Sequence, residues 1–159
     1  MKRPKIERTR IVPEHLYERA LRMGSQDGSN LGEIFTLLEK SHLQGDFRAT
    51  YALGTWYFHG THVRKNQRKG ISYFRSAAKG GIADALFDLA MSYEIGSGVR
   101  KDLRVAYEYY LRAALAGDPQ AQYEVGRCLY YGIGSTVDRR LARIWLDHAK
   151  LKGGQAQPA

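Results

Sequence analysis

Ala49, Ala85 and Ala121 lie 36 residues apart, as do Gly60, Gly96 and Gly132, and the series Gly45, Gly81, Gly117 and Gly153 keeps the same step. A period of this length with helical patterning inside it predicts a stacked array and not one enclosed globule. Three copies align without a gap over residues 45–80, 81–116 and 117–152. A divergent copy is expected over 12–44, because stepping back one period from Gly60 reaches Gly24, and from Gly70, Tyr73 and Phe74 reaches Ile34, Leu37 and Leu38. The expected organisation is a basic tail over 1–11, a solenoid over 12–153 and a short tail over 154–159.

Within each copy the pattern predicts two helices. Ala49, Leu53, Trp56 and Tyr57 fall at i, i+4, i+7 and i+8, one face of a first helix. Gly60, Gly96 and Gly132 stop it, since glycine takes the left-handed C-terminal conformation at low cost. Asn30, Asn66, Asp102 and Asp138 then open the second helix, their side-chain oxygens accepting from first-turn N–H groups. Asn30 and Glu33 have capping-box spacing, and Asp118-Pro119 reads as a cap followed by proline at the first helical position. The second helix is expected to bury small residues at Gly70/Ala106/Ala142 and Ala77/Ala113/Ala149, and large ones at Tyr73/Tyr109/Trp145 and Phe74/Tyr110/Leu146. One such pair leaves an apolar face uncovered, so contacts between adjacent repeats should supply most of the stability. The fold class is therefore all-α: stacked antiparallel helix pairs, about four repeats and eight helices.

The hydrophobic fraction of 43% suffices for a core. Cys128, the only cysteine, cannot form an internal disulfide, which fits a reducing compartment. The basic N-terminus has no apolar stretch behind it, and no run of 18 apolar residues exists, so the expectation is a cytoplasmic protein without a signal peptide or membrane span. The net charge of +9 is uneven: residues 61–81 carry six cations (Arg64, Lys65, Arg68, Lys69, Arg75, Lys79) against no acid, and residues 1–30 carry seven against four. Such patches attract nucleic acid or other polyanions, or serve only solubility.

The recurring pattern A-x-x-x-L-G-x-x-Y-x-x-G, a short loop, then A-x-x-[YW]-[YF]-x-x-A-A-x-x-G resembles the Sel-one-like repeat (SLR) family, relatives of tetratricopeptide repeats. The first copy carries it as Ala49, Leu53, Gly54, Tyr57, Gly60, Tyr73, Ala77, Ala78 and Gly81; the second as Ala85, Leu89, Tyr93, Gly96, Ala106, Tyr109, Ala113, Ala114 and Gly117; the third as Ala121, Gly126, Gly132, Ala142, Trp145, Ala149 and Gly153. Gly70, Ala90 and Lys150 depart from it. The resemblance implies a right-handed α-solenoid acting as an adaptor or scaffold, without catalysis and without a cofactor.

In related helical repeats the first helix of each pair lines the concave face. The residues opposite the buried stripe are then the candidate partner site: Arg19 and Arg22 in the divergent copy; Arg48, Tyr51, Thr55, Phe58 and His59; Phe87, Met91 and Glu94; Arg127, Tyr123, Tyr130 and Tyr131. Aromatics, Met and Arg are the composition of binding hot spots. Tyr51, Phe87 and Tyr123 share one phase and alternatively pack into the core. Phe58, Glu94 and Tyr130 share another whose character varies, which suits exposure.

Arg68, Arg104 and Arg140 recur at one phase near the start of the second helix, where the helix dipole mildly disfavours a cation. They read as an anion-binding ladder, or as a solvated edge paired with acids of the neighbouring repeat. Gly96/Gly98 and Gly132/Gly134 lack a preceding strand and read as helix stops and not phosphate loops. His59 and His62 have no nearby metal-ligand partners in sequence, so no metal is expected, and Cys128 reads as a structural thiol. No enzyme signature is present. The leading expectation is a protein or peptide partner on the concave face. The alternative is nucleic acid or another polyanion, held by Lys2, Arg3, Lys5, Arg8 and Arg10 with the Arg64–Lys79 patch.

Overall fold

A computed structural model describes residues 14–25 and 30–151. Among these the elements are eight helices and no strand: α1 (Glu14–Gly24), α2 (Leu31–Leu43), α3 (Phe47–His59), α4 (Gln67–Lys79), α5 (Ala83–Ile95), α6 (Leu103–Leu115), α7 (Pro119–Tyr131) and α8 (Arg139–Leu151). The basic tail and residues 154–159 lie outside the described residues.

The predicted caps form. Asn30 accepts from the N–H groups of Gly32 and Glu33, Asn66 from Lys69, Asp102 from Arg104 and Val105, and Asp138 from Leu141. Asp118 caps α7 with Pro119 behind it. Only the Asn30 half of the capping box is made, because the Glu33 carboxylate turns to Arg19 at 3.3 Å. Gly60, Gly96 and Gly132 close α3, α5 and α7 with φ of 84°, 84° and 74°.

Every extensive helix–helix contact joins neighbours in sequence, as expected of a quasi-one-dimensional stack. The small positions of the second helices are buried as anticipated: Gly70, Ala106 and Ala142, with Ala77, Ala113 and Ala149. Tyr57 stacks on Tyr73 and Tyr93 on Tyr109 at 5.6 and 5.7 Å, one period apart. The first helices are buried more broadly than the single stripe predicts. In α3 the buried residues are Ala49, Thr50, Leu53 and Gly54, while Trp56 and Tyr57 are half-buried. Gly54 explains the extra face: a Cβ there would lie 2.7 Å from the Phe74 ring, so α3 and α4 touch where the sequence leaves no side chain. Gly126 does the same against Leu146.

The second glycine of each loop pair has a different task from the one expected. Gly96 and Gly132 are helix stops, but Gly98 and Gly134 dock the loop onto the preceding repeat. Both have positive φ, 72° and 69°. A Cβ on Gly98 would sit 3.0 Å from the Gln67 backbone, and one on Gly134 only 1.9 Å from the Leu103 carbonyl oxygen. The equivalent residue of the first full copy is His62, the one non-glycine residue at positive φ among those described. Its ring makes up for the missing close approach by packing against Phe35 and Trp56, each 5.9 Å away. His62 is thus a junction residue within an aromatic cluster.

Candidate functional site

The face formed by α3, α5 and α7 holds two adjoining depressions. Phe58, His59, Asp88, Met91, Ser92 and Ile95 line the first, between α3 and α5. Phe87, Met91, Gln120, Tyr123 and Glu124 line the second, between α5 and α7. Met91 belongs to both and is 42% exposed. Five sequence-predicted residues (Phe58, His59, Phe87, Met91, Tyr123) are thereby brought into one groove. They stand at four phases of the repeat and in three repeats, so the fold and not local sequence assembles them.

Their burial is unequal. Tyr51 and Phe87 pack against the core, with ring centroids 5.6 Å from Phe74 and 5.5 Å from Tyr110. Tyr123 is half-buried and lines the groove. Phe58 is a correction: its phase was expected to be exposed, yet the ring is half-buried 5.5 Å from Phe74. The cause is Gly70, where a Cβ would lie 2.7 Å from that of Phe58, so the missing methyl lets Phe58 sink inward. Tyr130 of the same phase is 39% exposed, and Tyr131 beside it 51%.

Polar side chains organise the groove wall. The Tyr51 hydroxyl donates to Asp88 at 3.0 Å. Burial chiefly, with the Asp88 carboxylate beside it, pushes the Tyr51 phenol up. Glu94 accepts from Tyr110 at 2.8 Å and from Arg127 at 2.7 and 3.0 Å. Arg127 also pairs with Glu124. Burial pulls the Arg127 guanidinium down, but its bonds to Glu94 and Glu124 outweigh this and hold it above its ordinary value. Glu94 and Arg127 therefore tie α5 to α7 and are not free partner contacts.

Asp88 and Glu124 were not singled out from the sequence. The available signal for Asp88 was a lone carboxylate between the apolar residues Phe87 and Leu89. Burial raises the Asp88 carboxyl above its usual value of 3.8, partly opposed by the Tyr51 hydrogen bond. The native chain thus keeps this proton to higher pH than the unfolded chain. Stability falls as pH rises through the window between the unfolded and folded values, and above it the full penalty is present. Asparagine carries no charge and accepts the same bond from Tyr51. Asp88→Asn is expected to raise the urea midpoint at neutral pH, with the gain closing as pH falls to about 3.8. A lower midpoint at neutral pH would show that the ionised carboxylate stabilises the fold.

The remaining candidates are dispersed. Arg19 pairs with Glu33, and Arg22 is exposed at the end of α1. Arg48 pairs with Glu18 and Asp46, each at 3.0 Å, and lies over the Tyr17 ring. The Thr55 hydroxyl donates to the Ala52 carbonyl. Arg68, Arg104 and Arg140 are all exposed. The expected pairing with acids of the neighbouring repeat does not form among the described residues; Arg104 instead meets Glu108 of its own helix at 3.5 Å. Cys128 is fully buried, and burial pushes its thiol up to about 12, so it is held as the unreactive thiol. No described helix is long and apolar enough to cross a membrane.

Comparison with known proteins places this architecture. The chain is similar to a Sel1 repeat protein from Oxalobacter formigenes, with 28% identity and a TM-score of 0.84 over 90% of this chain and 59% of that one. It is also similar to a protective antigen of uropathogenic Escherichia coli displaying an SLR fold, with 26% identity and a TM-score of 0.84 over 89% of this chain and 31% of that one. The chain therefore spans less than two thirds of either protein. Cysteine-rich protein B of Helicobacter pylori shares the fold, with 22% identity and a TM-score of 0.61 over 68% of this chain and 87% of that one. No curated protein matches. Sel1-like repeat proteins generally mediate protein–protein interactions on a non-catalytic scaffold. The Sel1 repeat model matches residues 48–82, 83–118 and 119–153, two thirds of the sequence, and the chain belongs to the Sel1 repeat family.

Proposed function

We propose that this chain is a non-catalytic adaptor that holds a segment of a partner protein in the groove across α3, α5 and α7, the concave side of the solenoid. The observation that carries this reading is the pair of depressions joined at Met91 and walled by Phe58, Phe87, Tyr123 and Ile95. A flexible thioether adapts its shape to an apolar side chain, and aromatic rings supply contact area.

The test uses residues whose loss leaves the core intact. Met91, Ile95 and Tyr130 are 42%, 64% and 39% exposed, whereas Phe58 is braced against Phe74. A partner captured from the source organism by the wild-type chain should bind the Met91→Ala/Ile95→Ala/Tyr130→Ala variant at least about 30-fold more weakly, the loss of one hot spot. Circular dichroism should be unchanged, and wild-type binding should depend only weakly on salt. Undiminished binding by the variant would overturn the groove reading.

A further inference from the structure

A second surface lies along the edge where the first helix of each pair turns into the second. Residues 60–69, 96–105 and 132–141 contain nine Lys or Arg and two acids, a local excess of seven in a chain of net charge +9. Both acids, Asp102 and Asp138, are engaged in capping backbone N–H groups. The docking of Gly98 on Gln67 and of Gly134 on Leu103 sets these segments side by side, so the sequence period becomes a continuous ridge.

The ridge is also hollowed. Arg68 and Arg100 line one cleft together with Asn66 and Gly98. Arg75, Arg100 and Lys101 line the next, and the two share Gly98, Val99 and Arg100. The clefts open to about 660 and 680 Å³. Arg75 is aimed by its 2.8 Å bond to the Tyr93 hydroxyl. Among the described residues none of Arg68, Arg75, Arg100 and Lys101 makes an ion pair, although Arg48, Arg104 and Arg127 do.

We infer that this ridge binds the phosphate backbone of double-stranded nucleic acid, with Arg68, Arg100 and Lys101 at its centre. Charge without an apolar anchor suits a ligand recognised by its phosphates. A protein partner needs a buried apolar centre, and both clefts are lined mainly by polar and glycine residues. Duplex is favoured over single strands because base stacking needs open ring faces, and the Tyr57 and Tyr93 rings beside the ridge each have a face already taken. Lys69 covers Tyr57 at 3.8 Å, and Tyr93 is stacked on Tyr109. This inference is independent of the groove: the two clefts share no residue with the depressions around Met91.

Fluorescence anisotropy of the full chain with a labelled duplex DNA of about 20 base pairs at about 50 mM salt tests it, since phosphate contacts dominate there. The wild type should bind, with affinity falling steeply as salt rises. Arg68→Glu/Arg100→Glu/Lys101→Glu should weaken binding at least about tenfold and flatten the salt dependence by about three contacts. Arg22→Glu/Arg112→Glu/Arg143→Glu makes the same change in net charge elsewhere and should bind within about threefold of wild type. Thermal melts of both variants check folding. Any of three results overturns the inference: no duplex binding by the wild type, equal loss in the two triple variants, or tighter binding of an oligoglutamate peptide or a single strand than of the duplex.

Discussion

Phe74→Ala is expected to be among the most damaging single substitutions in the described core, lowering stability by about 3–5 kcal/mol through lost burial and the cavity left behind. The ring is 1% exposed and lies where α3, α4 and the groove meet. Tyr51 and Phe58 rest on it at 5.6 and 5.5 Å. Its edge fills the space that Gly54 leaves in α3, since a Cβ at Gly54 would be 2.7–2.8 Å from the ring. This contact makes a sharper prediction than the single loss. In the wild type Gly54→Ala should destabilise, because the methyl collides with a ring that core packing holds in place. In the Phe74→Ala background the ring is gone and the nearest remaining neighbour is the Tyr73 Cβ at 3.1 Å, so alanine's helix advantage of about 0.5–1 kcal/mol offsets part of the cost and the same substitution should destabilise much less than in the wild type. Urea titrations of the four proteins measure the cycle. Equal effects of Gly54→Ala in both backgrounds would show that the ring does not fix the α3–α4 approach.

Gly134→Ala should cost about 2–4 kcal/mol, about 1–2 from the left-handed backbone and the rest from contact with the preceding repeat. The obstacle is the Leu103 carbonyl oxygen, 1.9 Å from the added carbon, and this backbone atom cannot swing aside. Gly117 supplies the control. Its φ is 99°, but an added Cβ meets nothing within 4 Å, so Gly117→Ala carries the conformational cost alone. Gly98→Ala should fall between them, its contacts with Gln67 being 3.0 Å. The order Gly134, Gly98, Gly117 in denaturation midpoints is the expected result. If Gly134→Ala cost no more than Gly117→Ala, the loop would not be seated on its neighbour.

The parts of this fold that depend on one repeat at a time were legible in the sequence. Caps at Asn30, Asn66, Asp102 and Asp138 and stops at Gly60, Gly96 and Gly132 act within a few residues, so their spacing sufficed. What escaped depends on contacts between phases. Gly98 meets Gln67, 31 residues away, and no alignment of equivalent positions pairs them. Arg127 looked like a free hot-spot cation because Glu94 lies 33 residues back. Phe58 was misjudged because Gly70, visible only as a departure from the pattern, is the counterpart that admits its ring. Asp88 escaped notice because its partner Tyr51 lies 37 residues back.

The seating of each loop on the preceding second helix has a geometric consequence for binding. With Gly98 against Gln67 and Gly134 against Leu103, the inclination of one helix pair to the next is dictated at the loop edge, away from the groove. The radius of curvature of the groove, and with it the shape of ligand that fits, can therefore be retuned by residues that lie outside the groove. His62, which replaces the glycine at the first of these junctions, already marks one such adjustment: there an imidazole tilted to Phe35 and edge-on to Trp56 takes the place of the glycine's close approach.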